Sequence, residues 1–188
     1  MIEIGIDKGK EGLERLLGET NKILLGKEKA IIAVAGLPGA GKTYMVKSFI
    51  RFGFGNFHRK DIMVIDDNII YSTRFWKLHW EKIKVEKEHW KDFMNSFDFR
   101  VLFFSNWIPS RFIDFADILI NLKVNEKERI KRLKKRYRKN PEKVLIQKAK
   151  TTIPIEAPFE YHKVMTLDDP NNEINKWGIS WMIKRLFT

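Results

Sequence analysis

The stretch from Ile31 to Thr43 reads Ile-Ile-Ala-Val-Ala-Gly-Leu-Pro-Gly-Ala-Gly-Lys-Thr: a continuous apolar run, three closely spaced glycines, then a lysine and a hydroxyl. Residues 36–43 fit the spacing G-x-x-x-x-G-K-[ST], in which backbone amides wrap a polyphosphate. Such wrapping needs a backbone free of side chains and able to take unusual dihedrals, which Gly36, Gly39 and Gly41 provide. Lys42 opens a helix whose amino-terminal dipole favours negative charge. Its ammonium can reach β- and γ-phosphates, and Thr43 offers a hydroxyl to Mg²⁺. Both flanks agree with the motif, since residues 31–35 read as an apolar strand and Tyr44 to Phe52 carry helix-compatible apolar spacing. The expected nucleotide contacts are therefore Gly36, Leu37, Pro38, Gly39, Ala40, Gly41, Lys42, Thr43 and Tyr44, with ATP and Mg²⁺ as the cofactors.

A chain of 188 residues suffices for one compact domain and is too short for two of ordinary size, so residues 1–188 are expected to form one unit. Lys and Arg exceed Asp and Glu by 36 to 24, giving a formal charge of +12 and a surface that favours polyanions. Two explanations compete: a nucleic-acid partner, or a basic phosphate pocket on a lysine-rich surface. Abundant Lys, Glu and Ile also fit a hyperthermophilic source, in which much of the lysine is thermal adaptation. The lack of cysteine excludes disulfides, thiolate catalysis and cysteine-based zinc sites, and the four scattered histidines form no i, i+4 metal pair. No apolar run approaches a membrane span, and the first residues lack the regions of a signal peptide. A cytoplasmic protein with no membrane partner is expected.

Along the chain, residues 1–7 alternate apolar and polar as an edge strand would. From about Glu11 to Leu25 the leucines and isoleucines fall on one helical face, with Gly18 a point of interruption and Gly26 the end. A second strand, Asp61 to Ile65, ends in Asp66-Asp67-Asn68. Ligands of open α/β sheets bind beyond the carboxyl ends of the strands, so this carboxylate pair points at the nucleotide; the plainer reading is a helix cap. Between Tyr71 and Phe97, Trp76, Trp80, Ile83, Trp90, Met94 and Phe97 recur at helical steps. This predicts an amphipathic helix or helix pair at about 69–98, its aromatics mostly core, with Tyr71 and Arg74 facing a substrate. Val101 to Phe104 is a third strand, followed by Ser105-Asn106 where many nucleoside triphosphate enzymes carry a Mg²⁺-holding acid.

Asp117 to Leu122 reads as a fourth strand, and Asn125-Glu126-Lys127-Glu128 opens a helix with capping-box character. That helix carries Arg129, Lys131, Arg132, Lys134, Lys135, Arg136, Arg138 and Lys139, with Arg129, Arg132 and Arg136 on one face. A solvated basic face is the plain account. The functional one is a lid over about 125–150 that brings cations to a transferring phosphoryl group. A helix from Asn140-Pro141-Glu142 through Ala149, a strand from His162 to Leu167 and an amphipathic helix from Asn172 to Phe187 complete the chain.

These segments resemble the uridine kinase and phosphoribulokinase family of P-loop kinases. The likeness rests on the glycine loop, the strand ending in Asp66-Asp67, Ala116-Asp117-Ile118, the arginine-bearing helix from Glu128 to Arg136, and the stretch from Asn140-Pro141-Glu142 to Thr152-Ile153-Pro154. It spans about Leu13 to Leu167. Ser105-Asn106 replaces the family's third-strand acid, Tyr137 stands where an aspartate often follows the lid arginines, Ile153 replaces an arginine, and Tyr71 lies five residues after Asp66, displaced from the family's Phe-Tyr. The resemblance implies a three-layer α/β P-loop fold: a mostly parallel sheet of about five strands, helices on both faces and a helical lid.

It also implies an ATP-dependent kinase acting on a hydroxyl of a nucleoside, sugar or related small molecule. Lys42 and the loop amides would hold the phosphates, Thr43 and Asp67 would serve Mg²⁺, and Asp66 would orient and deprotonate the acceptor, beside Tyr71 and Arg74; the reverse division, with Asp66 on Mg²⁺ and Asp67 as base, stays open. Arg129 would meet the nucleotide, with Arg132 and Arg136 stabilising charge on the phosphoryl group in transit. Polynucleotide kinases resemble the same loop and Asp-Asp arrangement, so a 5′-hydroxyl of RNA or DNA stays open as acceptor. An ATP-binding regulatory module with little or no hydrolysis stays open too, as do monomer and homodimer.

Overall fold

The computed structural model describes residues 2–66, 69–72, 81–82, 90–154, 159–168 and 171–185. Its strands in chain order are β1 (Ile2–Lys8), β2 (Ala30–Gly36), β3 (Ile62–Asp66), β4 (Ile69–Ser72), β5 (Glu81–Lys82), β6 (Val101–Ser105), β7 (Phe115–Lys123) and β8 (Glu160–Asp168). The helices are α1 (Gly9–Leu24), α2 (Lys42–Phe52), α3 (Trp90–Asn95), α4 (Glu126–Arg136), α5 (Pro141–Lys148) and α6 (Asn171–Lys184). All strands join one sheet in the order β1-β8-β7-β2-β6-β3-β4-β5; the pairings from β1 to β3 are parallel and the last two antiparallel.

β2 lies inside the sheet, between β7 and β6, and its unbroken apolar run follows from that place. A parallel strand covered on both faces has no position that meets water. Ile32 and Val34 point into one core and Ala33 and Ala35 into the other. The first core is covered by α1, α2 and α6, which bring Leu13, Leu16, Met45, Phe49, Ile174 and Trp177 against Phe103 and Val64. Its centre is aromatic. The Phe49 ring lies 4.5 Å from Phe103 and 4.8 Å from Phe54, and Trp177 lies 5.6 Å from Phe54. The second face carries Met94 of the short α3 and loop residues Phe97, Phe99, Phe112 and Ile113. Arg185, just past α6, donates to the carbonyls of Phe52, Gly55 and Phe57, so a cation sits where the carboxyl end of α2 exposes its carbonyls.

The α/β class and mostly parallel sheet match the sequence reading, but among the described residues the sheet has eight strands rather than about five. Of the helix expected at about 69–98, the described residues are strand at β4 and β5 and helix at α3. The reason is the exposed edge of β3, whose amides and carbonyls need partners. Ile69, Ile70 and Tyr71, β-branched and aromatic, pair antiparallel with Asp66, Ile65 and Val64. Trp76, Trp80 and Ile83 lie outside the described residues. Gly18 does not interrupt α1, since it sits on the exposed face with open space where a Cβ would be. Among the described residues, no helix is long and apolar enough to cross a membrane.

Candidate functional site

Because the strands from β1 to β3 run parallel, β2, β6, β3 and β7 end on one rim. Register fixes the depth of each end: Val34 and Asp66 both align with Ser105, and Gly36 aligns with Leu122. The glycine loop leaves β2 from this rim. A Cβ on Gly36 would lie 2.9 Å from the Leu122 carbonyl oxygen, so β7 can approach only a glycine here. Gly39 and Gly41 take φ of +90° and +102°, the left-handed region open chiefly to glycine. Between them the Ala40 amide donates to the Leu37 carbonyl at 2.9 Å, closing a tight turn.

Gly41 caps α2 with no side chain to offer, and the first turn of α2 holds no acid. The first amides of a helix lack intrahelical partners and carry partial positive charge. Here they adjoin the glycine loop, the arrangement that suits an anion. Lys42 folds back over the loop, its Nζ donating to the Gly36 carbonyl at 2.6 Å. Tyr44, in the same first turn, is 46% exposed, and its hydroxyl accepts from Asn175 Nδ2 at 2.5 Å, tying α2 to α6.

Across the rim, Asp66 Oδ1 accepts from the Thr43 hydroxyl at 3.1 Å and from the Ser105 hydroxyl at 2.9 Å. Asp66 and Ser105 are both buried. Ser105 stands where an acid was expected, and the carboxylate comes instead from the neighbouring strand. Asn106 is turned inward, its Oδ1 accepting from the Ile108 amide at 2.8 Å. Mg²⁺ prefers oxygen ligands and is usually held by one or two carboxylates plus substrate phosphates. The Thr43 hydroxyl beside the Asp66 carboxylate fits that donor set. No group of three or more His, Cys, Asp or Glu that could hold a metal occurs among the described residues.

The three arginines of α4 separate. Arg129 is 2% exposed. Its Nε and one Nη donate to Glu126 at 2.6 and 2.8 Å, and the remaining bonds run to the carbonyls of Pro38, Gln147 and Lys148 at 3.1–3.3 Å. A guanidinium has five N–H donors and all are used. Arg129 thus braces the loop and the end of α5 from below, and is not the nucleotide contact expected. The bond from Arg129 holds the Glu126 carboxyl below its ordinary value. Gly39 completes the brace, because a Cβ there would lie 3.1 Å from Arg129 and Leu133. Arg132 reaches the rim itself, with Nε on Glu128 at 3.1 Å and an Nη 3.4 Å from the Ala40 carbonyl. Arg136, one turn on along that flank, is exposed against the Tyr137 ring.

Tyr71 is 3% exposed in the core beneath α2, with Lys47 Nζ 5.1 Å from its ring centre, so it packs rather than lines the rim. Asp67 and Arg74 lie outside the described residues. Sequence reasoning missed the Ser105–Asp66 bond and the Glu126–Arg129 brace. The i, i+3 spacing was the available signal for the brace.

Fold and site together define a mostly parallel α/β protein with a glycine-rich loop at the amino end of a helix, beside a hydroxyl–carboxylate cluster. Comparison of the chain with protein-family models, with curated proteins and with solved structures returned no match. Its function rests on this geometry.

Proposed function

We propose that the chain is a P-loop phosphotransferase that moves the γ-phosphoryl group of ATP to a hydroxyl of a nucleoside- or sugar-like acceptor. The observation that carries this reading is the Asp66 carboxylate, bonded to Thr43 at 3.1 Å and Ser105 at 2.9 Å beside an uncapped helix and left-handed glycines. A loop that bound phosphate for structure alone would have no use for a buried acid against its hydroxyl.

The loop amides and the amino end of α2 take the phosphate oxygens, and Lys42 exchanges the Gly36 carbonyl for them. Thr43 and Asp66 would hold Mg²⁺, which would supply charge neutralisation on the phosphates. This moves Asp66 to the metal side, where the sequence reading had put Asp67, and leaves Asp67 the acceptor-facing role. Arg132 and Arg136 bring positive charge along the open flank of the loop. Phosphoryl transfer passes through a loose transition state, so positioning and charge stabilisation are most of what a protein must provide.

The test is incubation with γ-labelled ATP, Mg²⁺ and a panel of nucleosides and sugars. Label appearing in an acceptor, abolished by Lys42→Ala, is the expected result. Bound ATP with no label in any acceptor, oligonucleotides included, would instead describe an ATP-gated module.

A further inference from the structure

The chain's charge is segregated. Of the net +12, +10 falls between Lys123 and Lys150, where thirteen lysines and arginines face three glutamates. The rest of the chain is close to neutral. Thermal adaptation spreads charge over a surface in mixed pairs and does not concentrate one sign in one module. A single nucleotide does not call for it either, because the loop, Lys42, Arg132 and Arg136 already meet its phosphates.

This module is α4, α5 and their flanks. α4 turns Arg129 and Leu133 inward and sets Arg132 beside the loop. Its opposite face carries Lys127, Lys131, Lys134 and Lys135 at helical spacing, continued by Arg138 and Lys139, all exposed. Glu126 is taken up by the buried Arg129, and Glu128 is shared between Arg132 and Lys131, so the two acids of α4 face more cations than they can pair. The module meets the rim at both ends. At one end Arg129 and Arg132 bond the Pro38 and Ala40 carbonyls; at the other Lys150 Nζ lies 3.8 Å from the ring centre of Trp107, which directly follows Ser105-Asn106.

We propose that α4 and α5 form a track for a single nucleic-acid strand. Granted the phosphotransferase reading, on which this part rests, the acceptor is the 5′-hydroxyl at the end of that strand. A row of exposed lysines on a module tied to the rim suits a chain of phosphates. Half-exposed Trp107 and exposed Tyr44 at the rim suit bases, since stacking on aromatics is tolerant of sequence. An anionic membrane is the less favoured partner, because a helix that lies on lipid needs a long apolar face outward: α4 spends its apolar face on the loop, and α5 turns out Leu145 and Ile146 on a helix of eight residues. In the transfer, the 5′-oxygen bonds to the γ-phosphorus while the bond from that phosphorus to the β–γ bridging oxygen breaks. ADP departs with the electron pair, and the hydroxyl proton passes to a carboxylate and on to solvent.

The test uses the full chain, a dye-labelled single-stranded oligonucleotide of about twelve nucleotides with a free 5′-hydroxyl, and the variant K131Q/K134Q/K135Q, whose positions are exposed and outside the catalytic machinery. With about five phosphates engaged, affinity should fall roughly 10²-fold between about 50 and 200 mM salt. The triple variant should flatten the salt slope by about two units and leave the ATP-induced thermal shift unchanged. γ-Labelled ATP should mark the 5′-hydroxyl oligonucleotide and not its 5′-phosphorylated twin. Oligonucleotide binding that is absent, insensitive to salt or equal in the triple variant overturns the track, as does binding only to vesicles of anionic phospholipid. Strand binding intact and ATP bound, with label passing only to free nucleosides or sugars, overturns the acceptor assignment alone. If ATP neither binds nor donates label to anything while the strand still binds, the phosphotransferase reading fails, the acceptor assignment falls with it, and the track stands.

Discussion

At the residue scale, Asp66 takes two hydroxyl donors on one carboxylate oxygen, and one of them is the hydroxyl that would ligate Mg²⁺. Asp66→Asn keeps the size and removes the charge. On the metal-side reading it should raise the Mg²⁺ concentration needed for nucleotide binding by roughly tenfold or more, in line with the loss of a metal-site group. A Mg²⁺ titration followed by the ATP-induced thermal shift measures this, and an unchanged Mg²⁺ requirement would return Asp66 to the acceptor. Gly39 carries a different constraint, with φ of +90° and no room for a Cβ against Arg129 and Leu133. Gly39→Ala should cost about 1–3 kcal/mol in urea unfolding and abolish ATP binding, because strain and crowding act at one backbone position. The glycines were legible in the sequence because only glycine serves where they stand. Ser105 was not, since a lone hydroxyl has no signature: its role comes from the alignment of Asp66 with Ser105 across two strands 39 positions apart.

At the scale of elements, α4 is anchored to the glycine loop through a buried guanidinium. Removing it leaves the Pro38, Gln147 and Lys148 carbonyls without a donor, while Glu126, 56% exposed in its side chain, can turn to water. Arg129→Met should therefore cost about 2–4 kcal/mol, mostly from unsatisfied acceptors rather than the lost ion pair. Its second readout is ATP affinity, which should drop although Arg129 has no donor left for a phosphate. Full retention of ATP binding in a folded variant would show that the brace does not position the loop. Elements with a single strong period were read close to their true bounds: β2, α2, β3, β6 and α4 all appear where the apolar spacing put them. Residues 69–72 and 81–82 misled, because apolar residues at helical steps compete with an edge strand's demand for partners. Nothing local to residues 69–72 records that β3 lies beside them.

At the scale of the whole molecule, the sheet is held from β1 to β3 by parallel neighbours distant in sequence, and the helical layer must be tied to it. Glu19 makes one such tie, joining α1 to β8 through Lys163 while also bonding Lys22 at 2.9 Å. Burial alone would push the Glu19 carboxyl up, but the bonds and charges of Lys163 and Lys22 together hold it below its ordinary 4.5. A carboxyl lowered in the folded state binds fewer protons there than in the unfolded chain, so stability rises with pH through that window. The contribution is complete above about 4.5 and is lost as pH falls through the lowered folded value. Glu19→Gln should cost about 1 kcal/mol near neutral pH, the scale of a charge-assisted bond whose lysine partners can reach water. Once the pH has fallen below the lowered folded value the wild type has protonated Glu19 as well, and the two proteins should unfold at nearly the same urea concentration. A deficit that stayed constant across the titration would mean that Glu19 acts by packing rather than charge. A deficit that closes with acid identifies this ion pair as the tie between α1 and the outer part of the sheet.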